Sequence, residues 1–158
     1  MATTAAKKKE PQHQEATAML RADHKLVSEL FAEFESARSS KRKQHLAMEI
    51  CKELTVHAQI EEEIFYPAVK EALKDKELVP EAAVEHATLK NLIAEIEEMD
   101  VDTEMWEARV KVLGEYVKHH VKEEQNEMFP KVKSSDLDLT ELGAMMMQRK
   151  QELMKDIA

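Results

Sequence analysis

The feature that most constrains this chain is a pattern of histidine, glutamate and proline that occurs twice. His57 is followed by a glutamate four residues later and a proline ten residues later, and His120 is followed by the same residue types at the same offsets. A histidine that directly follows an acidic residue precedes each copy, by 33 residues in the first and 34 in the second. The chain is therefore interpreted as a doubled helical hairpin. The repeated residues are His24, His57, Glu61, Pro67, His86, His120, Glu124 and Pro130.

The spacing places each His/Glu pair on one face of a helix. Residues four apart lie one above the other, so His57 projects with Glu61, and His120 projects with Glu124. Apolar residues stand seven and three positions before each histidine and share its face: Ile50, Leu54, Leu113 and Val117. Buried imidazole and carboxylate groups are costly unless they are paired or bind a metal. The pattern therefore predicts that the four histidines and two glutamates of the repeat ligate metal.

Simpler interpretations exist for each part of the pattern. A single His-x-x-x-Glu match in so glutamate-rich a chain favours a surface pair, and His119 with Glu123 forms one. At about 100° per residue, His119 points away from the apolar face that His120 shares. Either upstream histidine alone is more typical of a core or boundary residue. Two matched copies favour a metal site, whereas His13 and His45 lie outside the repeat and are interpreted as surface residues.

The composition predicts an all-α protein. Two glycines and four prolines occur in 158 residues, and Ala, Leu, Met, Glu and Lys are frequent. Apolar periodicity predicts long helices at about 13–36, 41–75, 80–99 and 104–133. Pro67 is expected to interrupt the second of these helices, either by a kink or by ending its regular part. A shorter fifth helix is expected to start near Asp138, because Glu141 follows it as in a capping box.

Short connections make sequential helices antiparallel, which predicts an up-down-up-down four-helix bundle. The expected organisation is a flexible tail at 1–12, the metal-binding four-helix bundle at 13–135, and a C-terminal amphipathic helix at 136–158 that packs on the bundle. Trp106, Phe31 and the run Met145–Met147 are interpreted as packing residues.

Charge and cysteine content limit the expected partners and compartment. The net charge of −9 and the pI of about 5.3 argue against a nucleic-acid partner. The single Cys51 excludes an internal disulfide, suits a reducing compartment, and is not expected to ligate metal. No secretory signal is expected, and no apolar run approaches the roughly 20 residues of a membrane span. A cytoplasmic protein without nucleic-acid or membrane partners is expected, and the sequence names no protein partner.

These residues resemble the HHE cation-binding family, the hemerythrin-like domains. The resemblance covers most of the chain, from His24 to Pro130, and its "HxxxEExxxYP"-type segments are fairly specific. It implies a four-helix bundle with a non-haem di-iron centre, in which Glu61 and Glu124 bridge the ions and the four histidines are terminal ligands. The implied cofactor is two iron ions bridged by carboxylate and by oxo or hydroxo groups. Zinc and manganese are alternatives that imidazole and carboxylate ligands also accept.

Lys90 and Glu124 depart from the pattern of oxygen-carrying hemerythrins. Those proteins have another histidine where this chain has Lys90, and an aspartate at slightly longer spacing where this chain has Glu124. The chain therefore resembles the bacterial subgroup with four His and two Glu, for which iron-centre repair, sensing of NO or O₂, and peroxide removal are proposed. With both carboxylates bridging, each metal keeps an open position, which favours binding or activation of O₂, NO or peroxide.

Three functions stay open on the sequence. The first is binding of, or reaction with, O₂, NO or peroxide for sensing, buffering or detoxification. The second is a di-iron enzyme, either peroxidase- or catalase-like or an oxidase of a small organic substrate, which would need a pocket. The third is iron donation for iron–sulfur cluster repair. Lys90 and Tyr116 are predicted as residues beside the ligands; Tyr116 either lines the site or is a buried tyrosine with a satisfied hydroxyl.

Overall fold

The computed structural model describes residues 14–101 and 103–157, and these residues are helical without strands. The elements are α1 (Ala16–Ser36), α2 (Ser40–Ile60), a first π turn (Glu61–Phe65), α3 (Tyr66–Leu73), α4 (Leu78–Glu98), α5 (Glu104–Glu123), a second π turn (Glu124–Met128), α6 (Phe129–Lys133) and α7 (Leu139–Ile157). Each π turn joins its flanking helices, so the described residues form five helical rods. The all-α prediction is confirmed. The interpretations of residues 1–12 as a tail and of His13 as a surface residue lie outside the described residues.

Polar side chains begin the rods near the connections that the sequence predicts. Side-chain oxygens of Ser39, Asp75, Thr103 and Asp138 accept from backbone N–H groups of the first helical turns that follow them. The predicted start of the last helix near Asp138 is therefore confirmed. The prediction of a shorter last helix is also confirmed, although the difference is small: α7 has 19 residues and α1 has 21. No helix within 14–101 and 103–157 is both long and apolar enough to cross a membrane.

The core consists of two apolar clusters with a polar layer between them. The first contains Leu20, Ile60, Phe65 and Phe129, and the second contains Val27, Leu54, Leu89 and Val117. Along α1, the polar residue His24 stands between the two clusters, and His86 does so along α4. The rods therefore bury apolar side chains at both levels and bring their polar residues to the same depth in the molecule.

The last rod, α7, covers the first apolar cluster. Leu142, Met146 and Leu153 of α7 are buried there, and α7 packs against α1 and α2. Gly143 allows this approach, since a Cβ atom at that position would lie well inside contact distance of the Gln14 carbonyl oxygen. The helix is thus part of the wall around the polar layer.

Candidate metal centre

The six predicted ligands come from four rods and meet in the interior. His24 is on α1, His57 on α2, His86 on α4 and His120 on α5, while Glu61 and Glu124 each begin a π turn. None of the six is more than 8% exposed, and Glu61 is fully buried. Among these six residues, donor atoms within 4.8 Å of one another form two groups. These are His24, His57, Glu61 and Glu124, and Glu61, His86 and His120. The structure therefore brings all six side chains together in two groups that share Glu61.

The two π turns position the side chains of Glu61 and Glu124, which are the first residues of these turns. The Tyr66 N–H donates to the carbonyl of Glu61, and the Phe129 N–H donates to that of Glu124, five residues back instead of four. The next residue in each copy is the repeated proline, which has no N–H and would clash with a carbonyl in a regular helix. The interruption predicted near Pro67 takes the form of this wider turn, and the rod continues beyond it. Such turns often occur at functional sites.

Each glutamate reaches one histidine from each half of the repeat. Glu61 Oε1 lies 3.3 Å from His57 Nε2 in its own half and 3.1 Å from His86 Nε2 in the other. The oxygens of Glu124 lie 3.5 Å from the α5 histidine Nε2 and 3.2 Å from the α1 histidine Nε2. Each carboxylate therefore contacts both halves of the repeat.

A second ring of acceptors holds the four imidazoles by their Nδ1 atoms. The pairs are His24 with Gln125, His57 with Asp23, His86 with Glu62 and His120 with Glu85, at distances from 2.6 to 2.9 Å. Because Nδ1 is paired with an acceptor, the Nε2 atom of each neutral ring presents its lone pair to the centre. Metal-ligating histidines are normally held in this manner, since the outer acceptor fixes the tautomer and the ring orientation.

Two of these acceptors are the acidic residues of the repeat, but the sequence did not show which histidines they contact. Asp23 directly precedes His24 in the sequence and yet contacts His57. Glu85 directly precedes the α4 histidine and contacts His120. Each acid thus holds the histidine of a neighbouring helix, which sequence spacing alone does not reveal.

Two observations indicate that this set of donor atoms suits the binding of cations. Among the described residues, the buried side-chain atoms without a hydrogen-bond partner are His24 Nε2, His57 Nε2, Glu61 Oε2 and Glu124 Oε1, which all belong to the centre. His86 Nε2 and His120 Nε2 lie 3.3 Å apart, although the Nδ1 atom of each ring is already paired with a carboxylate. Two lone pairs at that distance repel unless a cation or a proton lies between them. Buried unsatisfied polar groups cost about 1–3 kcal/mol each.

The buried carboxylates raise the proton affinity of two histidines. Burial acts to lower the pKa of His57, but the charge of Glu61 and the hydrogen bond to Asp23 hold this pKa well above its usual value. Burial likewise acts to lower the pKa of His120, and its hydrogen bond with Glu124 and that carboxylate's charge raise it to about 9. The centre therefore attracts positive charge, whether protons or metal ions.

A tyrosine does reach the centre, but it is Tyr66 and not Tyr116. The Tyr66 hydroxyl donates to a Glu124 oxygen and lies 3.1 Å from Glu61 Oε1. It is also 3.3 Å from the Nε2 atoms of the α4 and α5 histidines. Burial and the two carboxylates raise the pKa of the Tyr66 phenol well above its usual value, so it stays protonated at neutral pH. Tyr116 is 50% exposed, so both predictions for it are wrong.

Two lysines contact the acceptors that hold the histidine Nδ1 atoms. Lys90 is exposed, and its Nζ lies 2.5 Å from one oxygen of Glu62, whose other oxygen holds the α4 histidine. Lys150 of α7 donates over 2.7 Å to Asp23, which holds the α2 histidine. Lys90 therefore contacts the centre through Glu62 and does not enter it.

The other predicted residues lie away from the centre. His45 and His119 are exposed, and His119 pairs with Glu123 at 3.0 Å as predicted. Cys51 is buried in the second apolar cluster and belongs to none of the candidate ligand groups found among the described residues. Trp106 and Met146 are buried, Phe31 and Met147 are partly buried, and Met145 is exposed. The interpretation of the methionine run as packing thus holds for two of its three residues.

Comparisons with known proteins agree with this site. The family model described as the hemerythrin HHE cation-binding domain matches residues 15–132. The crystal structure of a hemerythrin HHE cation-binding domain-containing protein from Mycobacterium kansasii is 26% identical, with a TM-score of 0.75. The match covers 89% of this chain and 87% of that one.

A curated relative from Nostoc sp., named DNA nickase, is 28% identical over 117 residues, which is 74% of this chain. The chain spans only 33% of the length of that relative. The family match extends over most of the chain. It includes the six donors, their four outer acceptors and both π turns. The chain therefore belongs to the hemerythrin HHE cation-binding family.

Proposed function

We propose that this chain is a hemerythrin-like di-iron protein whose centre binds or reacts with O₂, NO or peroxide, for sensing, buffering or detoxification. The observation that carries the proposal is the approach of His86 Nε2 to His120 Nε2 at 3.3 Å, with both Nδ1 atoms held by carboxylates. A bound metal ion would replace the proton that otherwise has to lie between these two nitrogens, and both would ligate it. The unpartnered atoms on the other side of the centre support a second cation there.

The proposed ligand set follows the two groups of donors. His24 and His57 would hold one ion, His86 and His120 would hold the other, and Glu61 and Glu124 would bridge them. This assignment is supported by the distances of each carboxylate to one histidine of each half. An up-down-up-down arrangement of the four ligand-bearing rods is part of the proposal, because it is the usual frame for such carboxylate centres.

Iron is the proposed metal. Imidazole and carboxylate ligands suit iron, manganese and zinc, and the affinity order alone favours zinc. The carboxylate-bridged pair and the family favour iron. When bound, two iron ions with open positions supply the redox chemistry that O₂, NO or peroxide requires.

The protein's own residues would orient the centre and hold its protons. Tyr66 closes it on the side of the first apolar cluster and keeps one proton at its hydroxyl oxygen, beside Glu124. Lys90 occupies the position of the additional histidine of oxygen carriers, and its pairing with Glu62 keeps it outside. Open metal positions on that side of the centre are therefore part of the proposal.

DNA cleavage is not proposed. The name of the Nostoc relative describes a protein of which this chain matches a third, and the net charge of −9 opposes contact with a phosphate backbone.

The test is metal loading of the full chain under anaerobic conditions, followed by a count of iron per chain. The reduced protein is then exposed in turn to O₂, NO and H₂O₂ while its visible spectrum is recorded. About two iron ions per chain are expected. A reversible charge-transfer band would identify a carrier or sensor, and continued consumption of peroxide with an unchanged final spectrum would identify an enzyme.

His119 provides a matched control for the ligands. It is a histidine on the same helix as His120, adjacent in sequence but exposed. His120→Ala should lose at least one ion, whereas His119→Ala should keep both. Fewer than about one metal per chain in the wild type, or full loading of the double variant His57→Ala with Glu124→Ala, would overturn the proposal.

A further inference from the structure

A cavity of about 250 Å³ adjoins the centre on the side opposite to Tyr66. All four histidines line one end of it. Its walls come mainly from apolar residues of the second cluster: Val27, Leu54, Leu89, Ile93 and Val117. The cavity therefore meets the centre where the metals are proposed to have open positions.

Three wall residues of the cavity are slightly exposed, unlike the fully buried residues of the same cluster. Leu54, Leu89 and Val117 are each 8% exposed, whereas Ile50 and Leu113 of that cluster are 0% exposed. The lining also includes the exposed residues Lys90 and Glu97, so the cavity opens to solvent and a small molecule can enter it. An apolar space of this size beside six polar ligand candidates suits a bound molecule.

The volume exceeds what O₂, NO or hydrogen peroxide needs. A water molecule takes about 30 Å³ in the liquid, so the cavity has room for about eight groups of that size. An engineered apolar cavity of about 150 Å³ binds benzene. A space of 250 Å³ suits an organic molecule of about eight non-hydrogen atoms.

The polar groups around the cavity restrict the chemistry of that molecule. The Thr55 hydroxyl donates to the Cys51 carbonyl, and both oxygens of Asp23 are engaged by His57 and Lys150. Apart from the histidine end, the lining residues offer mainly apolar surface, with Lys90 and Glu97 also contributing to the lining. An occupant with an apolar body and one polar end fits this distribution.

We infer that the cavity binds a small aliphatic molecule of about eight non-hydrogen atoms, with its single polar end at the four histidines. This step rests on the proposed function: the molecule would be the organic substrate of the centre, its alcohol end losing two electrons and two protons to become an aldehyde, while peroxide takes them up and leaves as two water molecules. The inference itself concerns binding, and it names the substrate class as a short alkyl chain with one oxygen-bearing head group.

Binding is tested by calorimetry with straight-chain 1-alkanols from butanol to nonanol, on the full chain loaded with Zn²⁺, which does not support redox chemistry. Affinity should rise about fourfold with each added CH₂, since burial of one such group is worth about 0.8 kcal/mol. It should then fall once the chain exceeds the cavity, with a maximum near heptanol. A profile with no maximum would overturn the inference.

Two variants that change the volume of the cavity provide a second, independent test. Val117→Phe should shift the optimum to chains shorter by about three carbons, and Leu89→Ala should shift it to chains longer by about three. Val112→Phe is the matched control, since Val112 lies on the same helix but is 38% exposed and outside the cavity. It should leave the optimum unchanged. Equal optima in all three folded variants would overturn the inference.

The two proposals can fail separately. Two bound metal ions without alkanol binding would overturn the organic substrate and leave the metal centre intact. Chain-length-dependent binding in a protein that takes up no metal would support the cavity site and remove its proposed link to the centre.

Discussion

At the scale of single residues, Tyr66 is the side chain that joins both carboxylates of the centre. Tyr66→Phe keeps the packed ring and removes the hydroxyl that donates to Glu124. Because a buried carboxylate then loses a donor, the free energy of unfolding should fall by about 1.5–3 kcal/mol in protein treated with a chelator. Chemical denaturation measures this change. Tyr116→Phe, on the exposed face of α5, should change stability by less than about 0.5 kcal/mol, and equal effects would contradict the assignment.

Glu85 should affect metal binding although it does not face the centre. The Glu85 carboxylate holds the Nδ1 atom of His120 at 2.6 Å. Removal of this carboxylate therefore lets the imidazole ring turn and lowers the basicity of the imidazole. Glu85→Ala should weaken metal binding by about 10- to 100-fold. Competition with a chelator of known affinity measures this effect. Glu98→Ala, an exposed position on the same helix, should bind as the wild type does; a Glu85→Ala protein with unchanged affinity would refute the role.

The sequence predicted the six donors because each repeats at a helical spacing shared with apolar residues. The residues around them depend on how neighbouring helices are rotated, and spacing within one helix does not report that. Tyr116 illustrates the limit: at about 100° per residue it lies about 80° from the mean direction of the inward-facing residues of α5. Tyr66 had a signal, because it directly precedes Pro67 where the second copy has the buried Phe129.

At the scale of elements, the close approach of α7 to the start of α1 depends on Gly143. An added Cβ atom would overlap the backbone carbonyl of Gln14 and lie 3.0 Å from Ala16 N, and backbone atoms cannot turn aside. Gly143→Ala should therefore lower the free energy of unfolding by about 1–3 kcal/mol, as measured by denaturant titration.

Gly114→Ala is the matched control for this prediction. The added Cβ atom would lie 3.1 Å from the ring of Phe31, a partly buried side chain that can shift. A mid-helix alanine also gains about 0.5–1 kcal/mol over glycine. This variant should be neutral or slightly stabilised, and a larger loss than in Gly143→Ala would contradict the account.

The helical rods and their starts could be predicted from periodicity and capping residues, but the π turns could not. Proline at the tenth position after each histidine signals an interruption, yet its form depends on the surrounding packing. In both copies the rod continues through the proline and the glutamate ligand begins the wider turn. The position of α7 along the chain could also be predicted, but the surface that its apolar residues cover could not, because that surface exists only in the folded molecule.

At the scale of the whole molecule, the polar layer links stability to pH and to metal. His120, with a pKa of about 9 in the folded protein, has an ordinary value of about 6.5 when unfolded. Between those values the folded protein holds a proton that the unfolded chain has released. This contribution to stability is fully present below about pH 6.5 and is lost as the pH rises through about 9. His57, whose pKa is also raised, acts in the same direction.

Metal should reverse this dependence, because it binds the deprotonated imidazoles and its apparent affinity rises as protons leave. With a chelator present, the midpoint of thermal unfolding should fall between pH 6.5 and 9. With saturating Zn²⁺, it should stay constant or rise over the same range. Parallel thermal melts at fixed ionic strength measure both series. A chelated protein that becomes more stable towards pH 9 would show that the buried carboxylates do not hold protons on these histidines, and that the polar layer is neutralised in another way.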